Sequence, residues 1–358
     1  MDLLDYIRVI QEEIGTKKSY DEYGWAFSRY KDFLEVCRRE RPRDIEVCCQ
    51  LAAVYFELRY DLTESIGLLE NFLSQYDEDL TDEERERIYT NLGFFYEEDG
   101  EVDLSESYLE KAVALEPTFP NAYHGLGLRL IEKGELARSF QLFQKASSLS
   151  EGLPYKYNYG VALYQNGQIA EAGRLFEGLS LNEKFKMRAL YGSGCCLARL
   201  GEKVKVKEIA DQLCKMGADD DIGESEIADL YYQCDYYFEH NQMYKTSSCP
   251  YYPDKSWLGP YFYSLAQLGS HEELEAKFLE VCCEKDEDMK QIVAEELDED
   301  FSRADQKAYL EKFQKEKQEI EDVYWQVKNR ASRPWVELKM SYDYGCYLLD
   351  CPRHQKIR

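Results

Sequence analysis

Glycine recurs through the middle of this sequence at a nearly constant interval, and this interval limits the folds that the chain can adopt. Two sets of glycines, offset by seven positions, each show intervals of 34, 33 and 34 residues. The first set is Gly93, Gly127, Gly160 and Gly194, and the second is Gly100, Gly134, Gly167 and Gly201. A period of this length corresponds to one supersecondary unit, so the sequence predicts a stacked array of similar units.

Each unit is predicted to be a pair of helices, because the apolar residues around the glycines follow helical spacing. A glycine of the first set lies inside the first helix, where it costs roughly 1 kcal/mol relative to alanine. We therefore expect the second helix to pack closely against the bare backbone at that point. A glycine of the second set lies where the first helix ends, since glycine adopts the left-handed cap conformation without a steric penalty.

The residues around these glycines resemble the tetratricopeptide repeat. The resemblance rests on Leu92-Gly93 with Tyr96 and on their counterparts in later units, and it is clearest over residues 86–220. Pro117 closes the first full unit, whereas other residues replace this proline in the later ones. The resemblance implies an all-α fold, a right-handed solenoid whose first helices line a concave groove that commonly binds peptides.

Three regions are predicted. Residues 1–85 are interpreted as divergent tetratricopeptide-like repeats, with helices over 45–58 and 62–76 and a helix start at Thr81, which Glu84 follows three positions later. Residues 86–220 hold four repeats. After Asp220 the period fades, and residues 221–358 are expected to be a mainly helical C-terminal extension or cap. Within it, the end from Trp335 to Leu349 is compatible with a short hairpin or a helix.

The charge of the chain favours one class of partner. The 358 residues carry a formal net charge of −26, which argues against nonspecific binding to nucleic acid or an anionic membrane. A basic protein partner fits this charge, and an acidic surface that only keeps the protein in solution is the alternative.

The N-terminus lacks a basic leader followed by an apolar run, and no stretch is long and apolar enough to cross a membrane. The adjacent cysteine pairs, such as Cys48-Cys49, point in different directions on a helix and are expected to be reduced, buried fillers. These observations together predict a cytoplasmic protein.

No arrangement of residues typical of an active site is found, so the sequence predicts a protein that is not an enzyme and needs no cofactor. The alternative is an enzyme or zinc-binding unit in the C-terminal region, with the repeats as a targeting arm. Its best candidate ligands are Cys346, Cys351 and His354, and a fourth would come from elsewhere, such as Cys249. The acidic run at 219–221 lacks the alternating ligand spacing of a calcium loop and is expected to be solvated.

The resemblance also implies which side chains face the groove. Carried over by register, they are Asn91, Phe94, His124, Leu128, Ile131, Tyr157, Asn158, Tyr164, Arg188, Tyr191 and Arg199. Asn91 and Asn158 match the asparagine position of repeats that clamp a C-terminal carboxylate, but most of the basic residues of such a clamp are missing. A groove of this composition is expected to bind apolar or aromatic anchors of a basic polypeptide.

The first functional hypothesis is therefore an interaction scaffold that binds a partner polypeptide in its groove. A concrete version is a bacterial immunity protein or chaperone that neutralises a basic toxin or effector. Self-assembly, in which the groove or the tail docks a second copy, is a further hypothesis. Whether the C-terminal region itself occupies the groove stays open at this point.

Overall fold

The computed structural model describes residues 9–10, 12–13, 20–59, 62–218, 221–246, 255–297, 301–330, 332–349 and 351. Most of residues 1–19, the beginning of the first predicted region, lie outside these ranges. The described residues form sixteen α-helices and one short 3-10 turn, and no β-strand occurs among them. The all-α prediction is confirmed. None of the described helices is long and apolar enough to span a membrane.

In chain order, the helices are α1 Tyr20–Glu40, α2 Ile45–Arg59, α3 Leu62–Tyr76, α4 Asp82–Glu98, α5 Val102–Ala114, α6 Asn121–Glu132, α7 Leu136–Leu149, α8 Leu153–Gln165, α9 Ile169–Leu179, α10 Lys186–Arg199, α11 Lys203–Met216, α12 Glu224–Gln233, α13 Tyr237–Thr246, α14 Lys255–Gln267, α15 His271–Ala294 and α16 Arg303–Lys328.

The described residues divide into two compact units. The first unit lies within residues 1–167 together with 342–358, and the second within residues 168–341. The first unit thus contains α1 to α8 and the end of the chain, and the second contains α9 to α16. The divisions after residues 85 and 220 were drawn from the repeat pattern, which reports only local helix pairs, and they stay a prediction.

The packing role of the first glycine set is confirmed at Gly93 and Gly127, where the second helix of the same pair meets the backbone. A Cβ atom on Gly93 would lie 2.6 Å from Cγ of Leu109, and one on Gly127 would lie 2.7 Å from Cε1 of Phe143. Leu109 and Phe143 are both fully buried. A side chain at either glycine would therefore force the two helices of the pair apart.

The second glycine set ends helices as predicted, with φ angles between +78° and +81°. The same turn continues beyond the point where the sequence period fades. Asp235 and Gly269 follow Gly201 at further intervals of 34 residues, with φ angles of 67° and 75°. In the turns at Gly100, Gly134, Gly201, Asp235 and Gly269, the next amide donates to the carbonyl oxygen five residues before it, as in the bond from Tyr236 N to Tyr231 O at 3.0 Å. The helix pairs thus continue to Gly269, and aspartate, which tolerates this conformation, replaces one glycine.

The helix start predicted at Thr81 is confirmed. Thr81 and Glu84 form a reciprocal capping box at the beginning of α4, and Ser302 with Asp305 forms another at the beginning of α16. In the second unit, α14, α15 and α16 enclose a core in which the Phe278 and Tyr324 rings stack with centroids 3.8 Å apart. These contacts fix α16 as part of the second unit.

The chain end from residue 332 to 349 contains neither the hairpin nor the helix that the sequence left open. It is extended, and side chains alternate between two environments. Val336, Leu338, Met340 and Tyr342 are buried, while Glu337, Lys339 and Ser341 between them are exposed, as is Trp335 before them at 83%. This two-residue alternation is typical of an extended chain that lies along a surface.

Candidate functional site

The candidate site is a row of side chains on first helices of the first unit, and it holds the end of the chain. We call residues 342–349 and 351 the C-terminal segment. Asn158, in α8, binds the backbone of Asp343 on both sides: its Nδ2 donates to the carbonyl oxygen at 2.9 Å, and its Oδ1 accepts from the amide nitrogen at 2.7 Å. Asn158 is fully buried, so this bidentate bond is shielded from water.

Two further asparagines continue this pattern along the segment. Nδ2 of Asn121, at the start of α6, donates to the carbonyl oxygen of Tyr347 at 2.8 Å. Oδ1 of Asn91, in α4, accepts from the amide nitrogen of Leu349 at 2.9 Å. Both asparagines are buried. We call Asn91, Asn121 and Asn158 the asparagine row.

The chemistry of the asparagine row suits an extended backbone. A carboxamide carries a donor and an acceptor, as a peptide group does, so it can replace the strand partner that an isolated extended chain lacks. A buried backbone group without such a partner would cost about 1–3 kcal/mol. The row therefore recognises the polypeptide backbone, and it leaves the choice of side chains to the pockets beside it.

The segment runs opposite to the order of the helices. Asp343 lies at α8, Tyr347 at α6 and Leu349 at α4. Farther along, Sγ of Cys351 is 4.0 Å from Oε1 of Glu57 in α2. An extended chain of about ten residues thus spans the first helices of four successive helix pairs.

Tyr347 occupies the most enclosed pocket of the site. Its hydroxyl donates to Oε2 of Glu97, and its ring packs edge-to-face on Phe94 with centroids 5.3 Å apart. The ring has room only because residue 125 is glycine: a Cβ atom there would lie 2.6 Å from Cε2 of Tyr347. Burial and the neighbouring carboxylate raise the pKa of the Tyr347 hydroxyl well above its ordinary value. The tyrosine is therefore neutral and donates its proton to the carboxylate.

Glu97 is held in place by Arg129, whose Nη2 is 2.9 Å from Oε1 of Glu97 and 2.7 Å from Oε1 of Glu132. Burial raises the pKa of Glu97, and the hydrogen bond from Tyr347 and the charge of Arg129 act in the opposite direction. The pocket is thus a carboxylate and a guanidinium arranged around a phenol.

A second pocket receives Tyr342. Its ring stacks on Phe143 with centroids 5.1 Å apart, and its hydroxyl donates to Oε1 of Gln165 at 2.9 Å. Burial is the largest cause that raises the pKa of this hydroxyl. Tyr344, between the two pockets, is 53% exposed. The site thus holds two tyrosine rings, five positions apart in the segment, in two separate pockets.

His124 lies beneath the segment in α6. It is almost completely buried and packs edge-to-face on Tyr155 with ring centroids 5.1 Å apart. Burial lowers the pKa of the imidazole to about 4, although its hydrogen bond to the backbone of Asp343 acts in the opposite direction. His124 is therefore neutral at pH 7.

The structure brings together part of the predicted groove. Asn91, Phe94, His124 and Asn158 contact the C-terminal segment through the bonds and ring contacts described above. Of the other predicted residues of the first unit, Leu128, Tyr157 and Tyr164 are buried, and Ile131 is partly exposed. Arg188, Tyr191 and Arg199 belong to the second unit, where Arg188 pairs with Asp221. A role in binding a partner stays a prediction for all eleven.

Sequence reasoning missed Asn121, Gly125, Glu97 and Gln165. A signal for two of them was present. Two residues before the first three repeat glycines lie Asn91, Gly125 and Asn158, so a glycine separates two asparagines; the fourth position, Gly192, is also a glycine. Asn121 lies four residues before Gly125 and therefore on the same helix face. The amide is displaced by one turn, and the vacated position admits the Tyr347 ring.

Within the second unit, the chain end is bound in a similar way. Gln233, at the end of α12, donates its Nε2 to the carbonyl oxygen of Val336, and the Tyr232 hydroxyl donates to the carbonyl oxygen of Pro334 at 2.9 Å. Arg333 pairs with Asp235 at 2.8 Å and lies over the Tyr232 ring, 4.4 Å from its centroid. Side chains of a first helix again bind an extended backbone.

The candidate zinc ligands are only partly covered by the structure. No disulfide joins Cys346 and Cys351, and the neighbouring Cys351 side chain, together with burial, raises the pKa of the Cys346 thiol. His354, Cys249 and residues 219–220 lie outside the described residues. Among those described, no group of three or more histidine, cysteine, aspartate or glutamate side chains is arranged to hold a metal ion.

Comparisons with known proteins agree with the helix pairs. A family model of the tetratricopeptide repeat matches residues 86–119. Solved structures similar to this chain include YrrB, described as a tetratricopeptide repeat protein with an unusual peptide-binding site, at 17% identity over 52% of this chain and 93% of that one, with a TM-score of 0.43. The pilF protein of Pseudomonas aeruginosa shows 17% identity over 56% and 91%, with a TM-score of 0.44. A tetratricopeptide repeat protein from Parabacteroides merdae shows 12% identity over 76% and 96%, with a TM-score of 0.40.

Proposed function

Because this chain is a tetratricopeptide repeat protein, we propose that it is a non-enzymatic scaffold that binds a partner polypeptide along the first helices of its first unit. The observation that carries the proposal is the asparagine row. Three buried carboxamides make four hydrogen bonds to the backbone of an extended segment. Burying three amides in a helical core is costly unless each finds a partner, so their presence supports a surface built for polypeptide backbone.

The two aromatic pockets define the anchors of such a partner. Each combines a ring contact with an acceptor for a phenol, Glu97 in one pocket and Gln165 in the other. A site built to hydrogen-bond a hydroxyl discriminates against an analogue that lacks it, because the buried acceptor is then left without a partner. We therefore propose tyrosine as the preferred anchor in both pockets.

The net charge of −26 bears on residues outside the pockets. The bound segment from 342 to 349 contains one carboxylate, Asp343, and no basic residue, so the groove itself does not require a basic ligand. We propose that the basic part of a partner flanks its aromatic anchors and meets the acidic surface, where complementary charge speeds association. Neutralisation of a basic toxin or effector is the concrete version of this role.

Peptide display against the full-length chain tests the scaffold proposal. The bait carries Tyr347→Ala, which removes one bound ring and keeps every side chain of the groove. We expect enrichment of peptides with two aromatic residues five positions apart. Adding Asn121→Ala and Asn158→Ala to the bait should weaken their binding by at least about tenfold, the equivalent of one lost hydrogen bond to a buried group. No enrichment, or equal binding to the asparagine variants, would refute the proposal.

A matched control is Gln141→Ala, because Gln141 is exposed on α7, a second helix. This variant should bind the selected peptides as the bait does. The basic flank is tested separately by salt: affinity for a peptide with added lysines should fall between 50 and 500 mM NaCl, since exposed charge pairs are screened. Equal affinity at both salt concentrations would exclude the basic flank and leave the groove proposal intact.

A further inference from the structure

We infer that the C-terminal segment is an intramolecular ligand that competes with the partner for the groove, so that the partner binds only after the segment is released. This inference rests on the proposed function. It also defines the class of partner: an extended polypeptide with tyrosine residues five positions apart, running opposite to the order of the helices.

The first argument is that the segment is held as a ligand is held. Among the described residues it has no helix or strand of its own, and side chains of distant residues satisfy its backbone. The bonded residues are 185, 226 and 258 positions apart in the sequence. Recognition of an extended chain by side-chain amides, without strand pairing, is a mode that also serves a chain from another molecule.

The second argument is that the segment and a partner would use the same atoms. Both the amide nitrogen and the carbonyl oxygen of Asp343 are bonded to Asn158, so the backbone of a second chain cannot make the same pair of bonds at the same place. The Tyr347 ring fills the space above Gly125: a Cβ atom on Gly125 would lie less than 3 Å from three of its ring carbons, so no further atom fits there. A partner anchored in these pockets therefore excludes the segment, and the reverse also holds.

The third argument is quantitative. A segment tethered to its own groove has an effective concentration on the order of millimolar, so a free partner must bind better or reach comparable concentration. The apparent affinity of the partner falls by the fraction of molecules with an open groove. Weakening the segment without changing the groove should therefore tighten partner binding by about 10- to 100-fold.

One substitution in the C-terminal segment can weaken its binding while it leaves the groove that binds the partner unchanged. The probe is a fluorescent peptide with the sequence of residues 340–349, titrated under reducing conditions into full-length wild-type and Tyr347→Ala proteins. Fluorescence anisotropy should show binding that is about 10- to 100-fold tighter for Tyr347→Ala. Tyr344→Ala is the matched control, because the Tyr344 side chain is 53% exposed, and it should bind the probe as the wild type does.

Several results would overturn the inference. The probe would bind wild type and Tyr347→Ala equally if the segment does not occupy the groove in solution. If the peptides selected by display bind both proteins equally, the scaffold proposal survives and the competition does not; if nothing binds either protein, the scaffold proposal fails. A wild-type dimer in light scattering that dissociates on Tyr347→Ala would assign the segment to the groove of a second copy instead.

Discussion

Alanine at position 125 should release the C-terminal segment while it stabilises the helix that carries it. Glycine inside a helix costs about 1 kcal/mol relative to alanine, so Gly125→Ala stabilises α6 by itself. The added Cβ, however, would lie 2.6 Å from Cε2 of Tyr347, nearly 1 Å inside an ordinary contact. The ring cannot move freely, because Glu97 holds its hydroxyl and Phe94 packs against its face.

Overpacking of this kind costs about 1–3 kcal/mol. The helix contribution is present whether the segment is bound or released, so only the overlap changes the free energy of release. We expect that free energy to fall by about 1–3 kcal/mol, which corresponds to roughly one to two orders of magnitude in the open fraction.

Hydrogen exchange reads this free energy directly, because the amides of Asp343 and Leu349 donate to the buried Oδ1 atoms of Asn158 and Asn91. In Gly125→Ala, exchange of these two amides should accelerate by about 10- to 100-fold, while interior amides of α6 are unchanged or slower. In a Tyr347→Ala background the same substitution should have no further effect on the segment. Unchanged protection of both amides in Gly125→Ala alone would refute the reasoning.

Three other predictions follow from burial, titration and backbone geometry. Burial lowers the pKa of His124 to about 4, so the contribution of the neutral imidazole to stability is complete above pH 6.5 and is lost as the pH falls from 6.5 towards 4. The difference in unfolding free energy between wild type and His124→Gln should therefore shrink by about 2 kcal/mol from pH 8 to pH 5, measured by urea unfolding. An unchanged difference would mean that the imidazole is hydrated. Burial, with a smaller contribution from Glu226, raises the pKa of Asp229 to about 7, so ionisation of this carboxyl destabilises the fold as the pH rises from 3.8 to 7. In thermal unfolding, Asp229→Asn should therefore stabilise the second unit by about 3 kcal/mol at pH 8 and by less at pH 5. An equal gain at both pH values would contradict this sign. Glu116 is exposed with φ at 52°, so Glu116→Gly should raise stability by about 0.5–1 kcal/mol, whereas glycine at the nearby helical Glu110 should lower it.

The asparagine row shows how a groove prediction can find the right surface and miss its occupant. Register placed Asn91, Phe94, His124 and Asn158 on one surface, and the structure puts them together. Asn121 and Gly125 escaped because the amide lies one helical turn away from its position in the neighbouring repeats. A comparison of equivalent positions between repeats detects only residues that recur. At the position of Asn91 and Asn158, the repeat between them has Gly125 instead, so the comparison does not find its asparagine.

The continuation of the helix pairs beyond Asp220 was hidden for a related reason. Asp235 adopts the same left-handed turn as Gly201, and its carboxylate pairs with Arg333. Successive helix pairs keep the geometry of the turn, while the residue at the turn changes from glycine to aspartate. The 34-residue recurrence of glycine is therefore interrupted at Asp235, although the left-handed turn recurs at the same interval.

Helix pairs, their turns and the close packing at Gly93 and Gly127 were readable from the amino-acid order, because each depends on residues within about 35 positions of one another. The position of the C-terminal segment was not. Its backbone is bound by side chains about 185 to 258 positions away, and peptide groups are the same in every residue, so no pattern in the segment announces where its hydrogen bonds go. The local sequence period determines the helix pairs, whereas the segment that occupies their groove depends on the free energy of contacts between residues far apart in the folded chain.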